Sequence, residues 1–194
     1  MARIADPDKM ESIKRAVMEC VIEYGYAGVS IASICEKAGV SPGYLYRYYK
    51  SKEELVMELV DLEMHGIINK FILDIDSSGT LYESAYKTIK NLLFKANTEP
   101  MLARFTASVV MDLRIPAGEK SNQFKSIFEL AEKCIRIGRK SGEINNLITA
   151  VDVLVVSFTI PFRYLSLSLE LDKNKIFTEK EVEKLTKICI QALK

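Results

Sequence analysis

The sequence predicts an all-α fold of about nine helices, with a short N-terminal helical unit and a larger helical C-terminal part. Apolar residues recur at helical spacing, and no segment shows the alternation typical of a strand. With 194 residues, 48% of them hydrophobic and 27% charged, the chain can bury a substantial core. Helix start signals recur along it, at Asp6-Pro7, Ser41-Pro42, Ser51 with Glu54, Thr80 with Glu83, and Thr178 with Glu181.

The first three predicted helices have the layout of a helix-turn-helix. Gly25 ends the first helix, and Gly39 can take the left-handed conformation needed in the turn between the next two. Ser41-Pro42 then caps a short helix of the kind that enters a DNA major groove. The predicted ranges are about 8–24, 30–37 and 41–48.

A long connecting helix and the body helices follow. Ser51 and Glu54 form a capping box that opens a helix reaching about Leu73. We assign 1–50 to a helix-turn-helix domain and 51–194 to a helical effector-binding and dimerisation domain, with 51–73 as the connector. After a loop at 74–79, helices are predicted over about 80–96, 98–113, 122–140, 149–171 and 178–193, with a break at 115–118.

The net charge of +1 does not by itself indicate a nucleic-acid partner. Four basic residues nevertheless surround the second short helix against one acidic residue, Glu36, and this local excess suits phosphate contacts; they are Lys37, Arg47, Lys50 and Lys52.

Catalytic and metal chemistry have no signature in this sequence. The single histidine, His65, and four scattered cysteines offer no zinc ligand spacing, and we expect no metal and no cofactor. Nucleophile–base pairs, carboxylate dyads and phosphate loops are also missing, so we do not expect an enzyme. The start of the chain has no apolar leader, and we expect reduced, buried thiols in a cytoplasmic protein.

The stretch 151–171 is apolar on nearly every side and allows two interpretations. A membrane span is one, but Asp152, Arg163 and Glu170 bracket or interrupt the run, and Pro161 would kink it. The other is a helix buried on two faces, one against its own core and one against a partner helix. We prefer the second and expect no membrane association.

The first quarter of the chain resembles the N-terminal domain of the tetracycline-repressor (TetR) family of transcriptional regulators. The resemblance runs from Ile13 to Leu55 and departs from the usual pattern at Val29, Cys35, Pro42 and the pair Tyr48-Tyr49. It is carried by Gly25-Tyr26, Ser30, Ile34, Ala38-Gly39-Val40-Ser41, Gly43, Leu45-Tyr46, Tyr49, Ser51-Lys52-Glu53 and Leu55.

This resemblance implies a double-stranded DNA operator and a homodimer formed through the last two helices, about 149–171 and 178–193. Two recognition helices one DNA turn apart, about 34 Å, would read a palindrome. Arg47 is our candidate for reading guanine, and Gly43 lets the backbone approach DNA. The full set of expected DNA-binding residues is Ser30, Ser41, Pro42, Gly43, Tyr44, Tyr46, Arg47, Tyr48 and Lys52.

The body is expected to hold a pocket for a small, hydrophobic ligand. Asp112 and Arg163 stand among apolar neighbours, where each is either an anchor for a charged ligand or a residue at a helix end or interface. The aromatic and methionine residues at helical spacing are equally compatible with plain core. The candidate pocket residues are Met101, Phe105, Met111, Asp112, Phe128, Phe158, Phe162 and Arg163.

The sequence therefore predicts a ligand-responsive DNA-binding regulator. The preferred version is a homodimeric repressor that leaves a palindromic operator when it binds the ligand. The alternative is an activator, or a scaffold that binds a protein partner and retains the helix-turn-helix head.

Overall fold

The computed structural model describes residues 6–111 and 122–194, and for 122–126 the backbone alone. Every regular element in these ranges is a helix, which confirms the all-α prediction. In chain order the helices are α1 (Pro7–Gly28), α2 (Ile31–Ala38), α3 (Pro42–Leu45), α4 (Lys52–Asp76), α5 (Leu81–Thr98), α6 (Pro100–Met111), α7 (Asn122–Lys140), α8 (Ala150–Leu171) and α9 (Glu179–Gln191).

Hydrophobic side chains form two separate clusters. The head cluster joins α1, α2, α3 and the first half of α4, with Ile13, Ile34 and Leu45 fully buried. The body cluster joins the second half of α4 to α5, α7, α8 and α9. Helix α6 serves both, because Phe105 and Val109 belong to the head cluster while its Ala103 and Ala107 belong to the body cluster.

Gly25, the predicted end of the first helix, leaves the helical conformation with φ 66° and ψ 164°, and a further turn reaches Gly28. Two other predicted boundaries were wrong. Helix α4 continues through Asp76, into the predicted loop 74–79, because Ile75 is buried in the body cluster and the Ser77 N–H bonds the Leu73 carbonyl. Helix α3 ends at Leu45 rather than near 48, and a tighter bond from the Tyr48 N–H to the Leu45 carbonyl, 3.0 Å long, replaces its last turn. The predicted break at 115–118 lies outside the described residues.

Helix α8 is interrupted by a π-helical turn at Val155–Thr159. Pro161 has no N–H, and the Ile160 N–H bonds the Val155 carbonyl in the wider π pattern, so the irregularity that accompanies Pro161 is a π-helical turn. By length and composition alone α8 could cross a membrane. In the structure Phe162, Leu165 and Leu169 pack into the body cluster.

Candidate DNA-binding surface and effector cavity

Local capping fixes the helix-turn-helix. The Ser30 hydroxyl accepts the Ser33 N–H at 3.1 Å, and the Ser41 hydroxyl accepts the Tyr44 N–H at 3.2 Å. Between these caps Gly39 has φ 65° and ψ 32°, the left-handed conformation expected of the turn. Both serines are exposed, so each is able to cap its helix and also to meet a phosphate.

We call residues 41–49, which comprise α3 and the turn after it, the recognition segment. Its inner face is anchored in the head cluster. Leu45 is fully buried and Tyr49 is 5% exposed. The Tyr49 hydroxyl donates to the Glu58 carboxylate at 3.3 Å, which gives a buried phenol the partner it requires. Burial, followed by the Glu58 charge, raises the pKa of Tyr49 to about 12.

On the outer face of the recognition segment, fewer side chains are exposed than the sequence predicts. Pro42, Gly43, Tyr46 and Arg47 are exposed, and Tyr46 retains 54% of its surface. Tyr44 and Tyr48 were expected on the exposed side, but both are half-buried because their rings pack against the head cluster and each other, 5.3 Å between centroids.

Two cations flank Tyr44. The Arg47 guanidinium lies 5.5 Å from the ring centroid, and its Nε donates to the Gly43 carbonyl at 3.3 Å. The Lys9 ammonium, from the first turn of α1, lies 5.3 Å from the same ring. Sequence reasoning missed Lys9, because nothing in the chain order brings α1 beside the recognition segment.

The basic residues around this segment do not contribute equally. Lys37 pairs with Glu23 at 2.9 Å, and this bond raises the pKa of Lys37. Lys52 donates to the Tyr26 carbonyl at 3.4 Å and lies 4.9 Å above the Tyr26 ring, which ties α4 to the end of α1. Lys9 also pairs with a carboxylate, that of Asp6 at 3.6 Å. The other cationic groups around the segment are those of Arg47, Lys50 and Lys52.

A cavity of about 460 Å³ lies in the body between α4, α5, α6 and α8. We call it the body cavity, and its volume falls in the range typical of small-molecule sites. Phe158 stacks parallel to Phe162, with an interplanar angle of 3°, and meets Phe71 edge-on at 5.8 Å. The apolar wall includes Ile67, Phe71, Ile89, Leu92, Phe158 and Phe162.

Two ion pairs also face the body cavity. Glu63 of α4 meets Lys95 of α5 at 3.1 Å. Asp74 is only 4% exposed, and its carboxylate accepts from Lys70 at 3.2 Å, from Asn91 at 3.0 Å and from Thr88 at 3.4 Å. The acids are the more deeply buried partners, so the wall carries compensated charge around an apolar middle.

The predicted pocket residues do not all meet in this cavity. Phe158 and Phe162 line it. Phe105 is buried in the head cluster, and Met101 lines a shallow surface groove between α1 and α6. Met111 packs beside the body cluster but outside the cavity lining, Phe128 is half-buried away from it, and Asp112 lies outside the described residues.

Arg163 is exposed on α8, so it does not reach the cavity from its place on the helix. The charged part of the cavity wall was not predicted, because in the sequence Glu63, Lys70 and Lys95 have the pattern of exposed surface charges. Asp74 carried a signal: a carboxylate four residues after Lys70 and flanked by apolar residues fits a helix better than a loop. No cluster of three or more potential metal ligands occurs among the described residues.

Residues 13–59 match the family model described as bacterial regulatory proteins, tetR family. A curated relative, the fatty acid metabolism regulator protein of Bacillus subtilis (strain 168), is 27% identical over 139 residues, 71% of each chain.

Solved structures share the whole fold at low identity. The fatty acid degradation regulator FadR from Bacillus halodurans has a TM-score of 0.71 at 16% identity and covers 99% of both chains. FadR from Bacillus subtilis in complex with stearoyl-CoA has a TM-score of 0.62 at 21% identity, covering 95% of this chain and 99% of that one. A gamma-butyrolactone receptor described as ArpA-like has a TM-score of 0.63 at 15% identity, covering 95% and 97%.

Proposed function

Because this chain belongs to the TetR family of bacterial regulatory proteins, we propose that it is a homodimeric transcriptional repressor that leaves a palindromic operator when a long-chain acyl compound fills the body cavity. The observation that carries this proposal is the position of the cavity. It lies against α4, whose first half belongs to the head cluster and whose second half belongs to the body cluster. We place the protein in the cytoplasm, with its DNA.

On the DNA side, the exposed recognition segment supplies the contacts. Arg47 reads a guanine through the terminal nitrogens of its guanidinium, which its bond from Nε to the Gly43 carbonyl does not use. Ser30, Ser41, Tyr46 and Lys52 contact phosphates and set the register of the head. Pro42 and Gly43 form the closest backbone approach, while Tyr44 and Tyr48 shape the surface beside Arg47.

Exposed apolar side chains on the last two helices support a dimer. Val155 and Leu167 of α8 are 49% and 41% exposed, and Ile188 of α9 is 40% exposed. Large apolar side chains left in water on two neighbouring helices favour association with a second copy. The dimer would place two recognition segments on one face of the DNA.

On the effector side, the apolar wall of the body cavity suits an alkyl chain. The Bacillus subtilis relative is a regulator of fatty acid metabolism, and one structural neighbour was solved with stearoyl-CoA. We therefore assign the effector to the long-chain acyl class.

Two helices could transmit binding to the head. Helix α4 lines the cavity from Leu62 to Asp74 and continues from the head. Helix α6 places Thr106 in the cavity wall and the adjacent Phe105 in the head cluster. An effector that fits one arrangement of α4 and α6 better than another would shift the spacing of the two heads.

The test has two stages. Selection from a random DNA pool with the purified protein should enrich a palindrome with two half-sites, and stearoyl-CoA should then lower affinity for that site. If a palindrome is enriched but stearoyl-CoA does not change the affinity for it, the protein is a DNA-binding regulator with another effector. The proposal requires the protein without effector to lower transcription from the site. If the protein raises transcription when it is bound there, it is an activator. No enriched sequence would favour the scaffold alternative.

A further inference from the structure

The charged groups of the body cavity lie at its two ends. Glu63 and Asp74 are eleven residues apart on α4, which is about 16 Å along the helix axis. Ile67 and Phe71 lie between them on the apolar wall. A molecule with a long apolar chain can therefore lie along α4 with its polar group at one end.

The two ends differ in their capacity to accept a negative charge. Asp74 is almost fully buried and is held by three donors, one of them Lys70, so its carboxylate stays in place and keeps the Lys70 ammonium paired when an anion enters. At the other end the Glu63 side chain is 20% exposed and the Lys95 side chain 43% exposed. Glu63 can turn toward water if it loses its partner, and Lys95 then faces both the cavity and solvent.

We propose that Lys95 binds the anionic group of the effector and that this exchange breaks its ion pair with Glu63. The inference rests on the proposed function, because it requires a long-chain acyl compound in the body cavity. The shared chemistry is an oxyanion at the end of an apolar chain, either the carboxylate of a fatty acid or a phosphate of its coenzyme A thioester. At the opposite end the fixed carboxylate of Asp74 holds the Lys70 ammonium, which disfavours an anion there.

The exchange has a direct effect on α4. Glu63 lies after Leu59 and Val60, which are in the head cluster, and before Phe71, which is in the body cluster. Its bond to Lys95 ties this middle part of α4 to α5. An anion on Lys95 removes that tie and repels the Glu63 carboxylate, so α4 moves away from α5 near the head.

The experiment compares matched ligands on the full-length protein. Calorimetric titration with palmitate, palmitoyl-CoA, hexadecanol and hexadecylamine should give tighter binding of the anions than of the alcohol, and weakest binding of the amine. Lys95→Met should weaken the anions roughly three- to tenfold and leave hexadecanol unchanged. Lys87→Met, which removes a lysine of α5 outside the cavity, should have no such effect.

Binding of palmitate but not palmitoyl-CoA assigns the anion to the carboxylate, and the reverse result assigns it to the coenzyme A phosphates. Glu63→Gln should bind the anions more tightly than the unmodified protein and hold operator DNA less tightly without ligand. If the unmodified protein binds palmitate and Lys95→Met binds it equally well, or Lys70→Met alone loses the preference, the assignment of Lys95 is wrong. If none of the four compounds binds, the proposed effector class itself is wrong.

Discussion

Gly39, directly after α2, and Gly66, inside α4, differ in whether the backbone requires a glycine. Gly39 has φ 65°, a conformation that costs an L-residue roughly 1–2 kcal/mol, and it closes the turn between α2 and α3. Gly66 lies inside α4 with ordinary helical backbone, and an added Cβ would meet nothing within 4 Å. The first glycine is required by the backbone, whereas the second weakens the helix without relieving any steric contact.

We expect Gly39→Ala to lower the free energy of unfolding by about 1–2 kcal/mol, because alanine disfavours the left-handed conformation. Gly66→Ala should raise it by about 0.5–1 kcal/mol. Urea denaturation of the two variants measures both changes. Equal effects at the two positions would mean that Gly39 does not hold its positive φ in solution.

Arg47→Ala should weaken binding to the selected operator by about 1–3 kcal/mol and relax the preference at one base pair of each half-site. The physical reason is loss of a bidentate contact to guanine. Binding to a panel of single-base operator variants measures this, with Lys50→Ala as the control for a simple loss of positive charge. A loss that is equal on every sequence would make Arg47 a phosphate contact.

Buried thiols give a pH dependence with a defined sign. Burial raises the pKa of Cys134 to about 12 and of Cys189 to about 11, from an ordinary value of 9.0. A raised pKa means that the folded state holds its proton more tightly, so this contribution is present below pH 9 and is lost as pH rises through the raised values.

Unfolding free energy should therefore decline from about pH 9 upward, and at neutral pH the native thiols should react slowly with Ellman's reagent. In denatured protein, all four cysteines should react with the reagent at once. Urea titrations across pH and the labelling time course measure the two effects. Fast labelling of the native protein at neutral pH would contradict the burial of these thiols.

At the scale of single elements, the parts that could be predicted are those encoded within a few residues. The caps at Ser30, Ser41 and Thr80 each use a hydroxyl three residues before the bonded N–H, and the sequence order reveals them. The cap at the start of α5 has a second component that no local pattern reveals. The Glu143 carboxylate, after α7, accepts the N–H groups of Leu81 and Tyr82 at 2.7 and 2.9 Å.

Glu143→Gln should lower the free energy of unfolding by about 1 kcal/mol, because a carboxylate at a helix N-terminus stabilises the exposed N–H groups and the helix dipole more than an amide does. Glu132→Gln, on the exposed side of α7, provides a control for the loss of one charge. Urea denaturation measures both variants. Equal stabilities of the two would show that Glu143 does not act as a cap.

In the candidate site, too, the parts formed by neighbouring residues were predictable from the sequence, and the parts formed by distant residues were not. The recognition segment was predictable because its turn, caps and inward residues lie within 39–49. The body cavity was not, because its wall combines four helices and depends on where α8 is widened by the π-helical turn. Phe105 illustrates the limit: its spacing indicates a buried face, but not which of two clusters buries it.

At the scale of the whole molecule, the proposed dimer would determine whether two heads act together on one operator. We expect Leu167→Glu combined with Ile188→Glu to give a monomer that binds the operator at least tenfold more weakly, because buried carboxylates would disrupt an apolar interface. Analytical ultracentrifugation and operator titration measure the two properties. Leu73→Glu is the control, since Leu73 is 62% exposed on α4. A double variant that stays dimeric would place the interface elsewhere.

Recombination between relatives would not divide this chain cleanly after residue 50. Phe105 and Val109 reach back from α6 to complete the hydrophobic interior of the head. If the head were joined to the body of a relative, a cavity would remain in the head cluster unless the new α6 supplied side chains of similar size and shape. In evolution, positions 105 and 109 should therefore vary together with the head, although more than fifty residues of chain separate them from its end at residue 50.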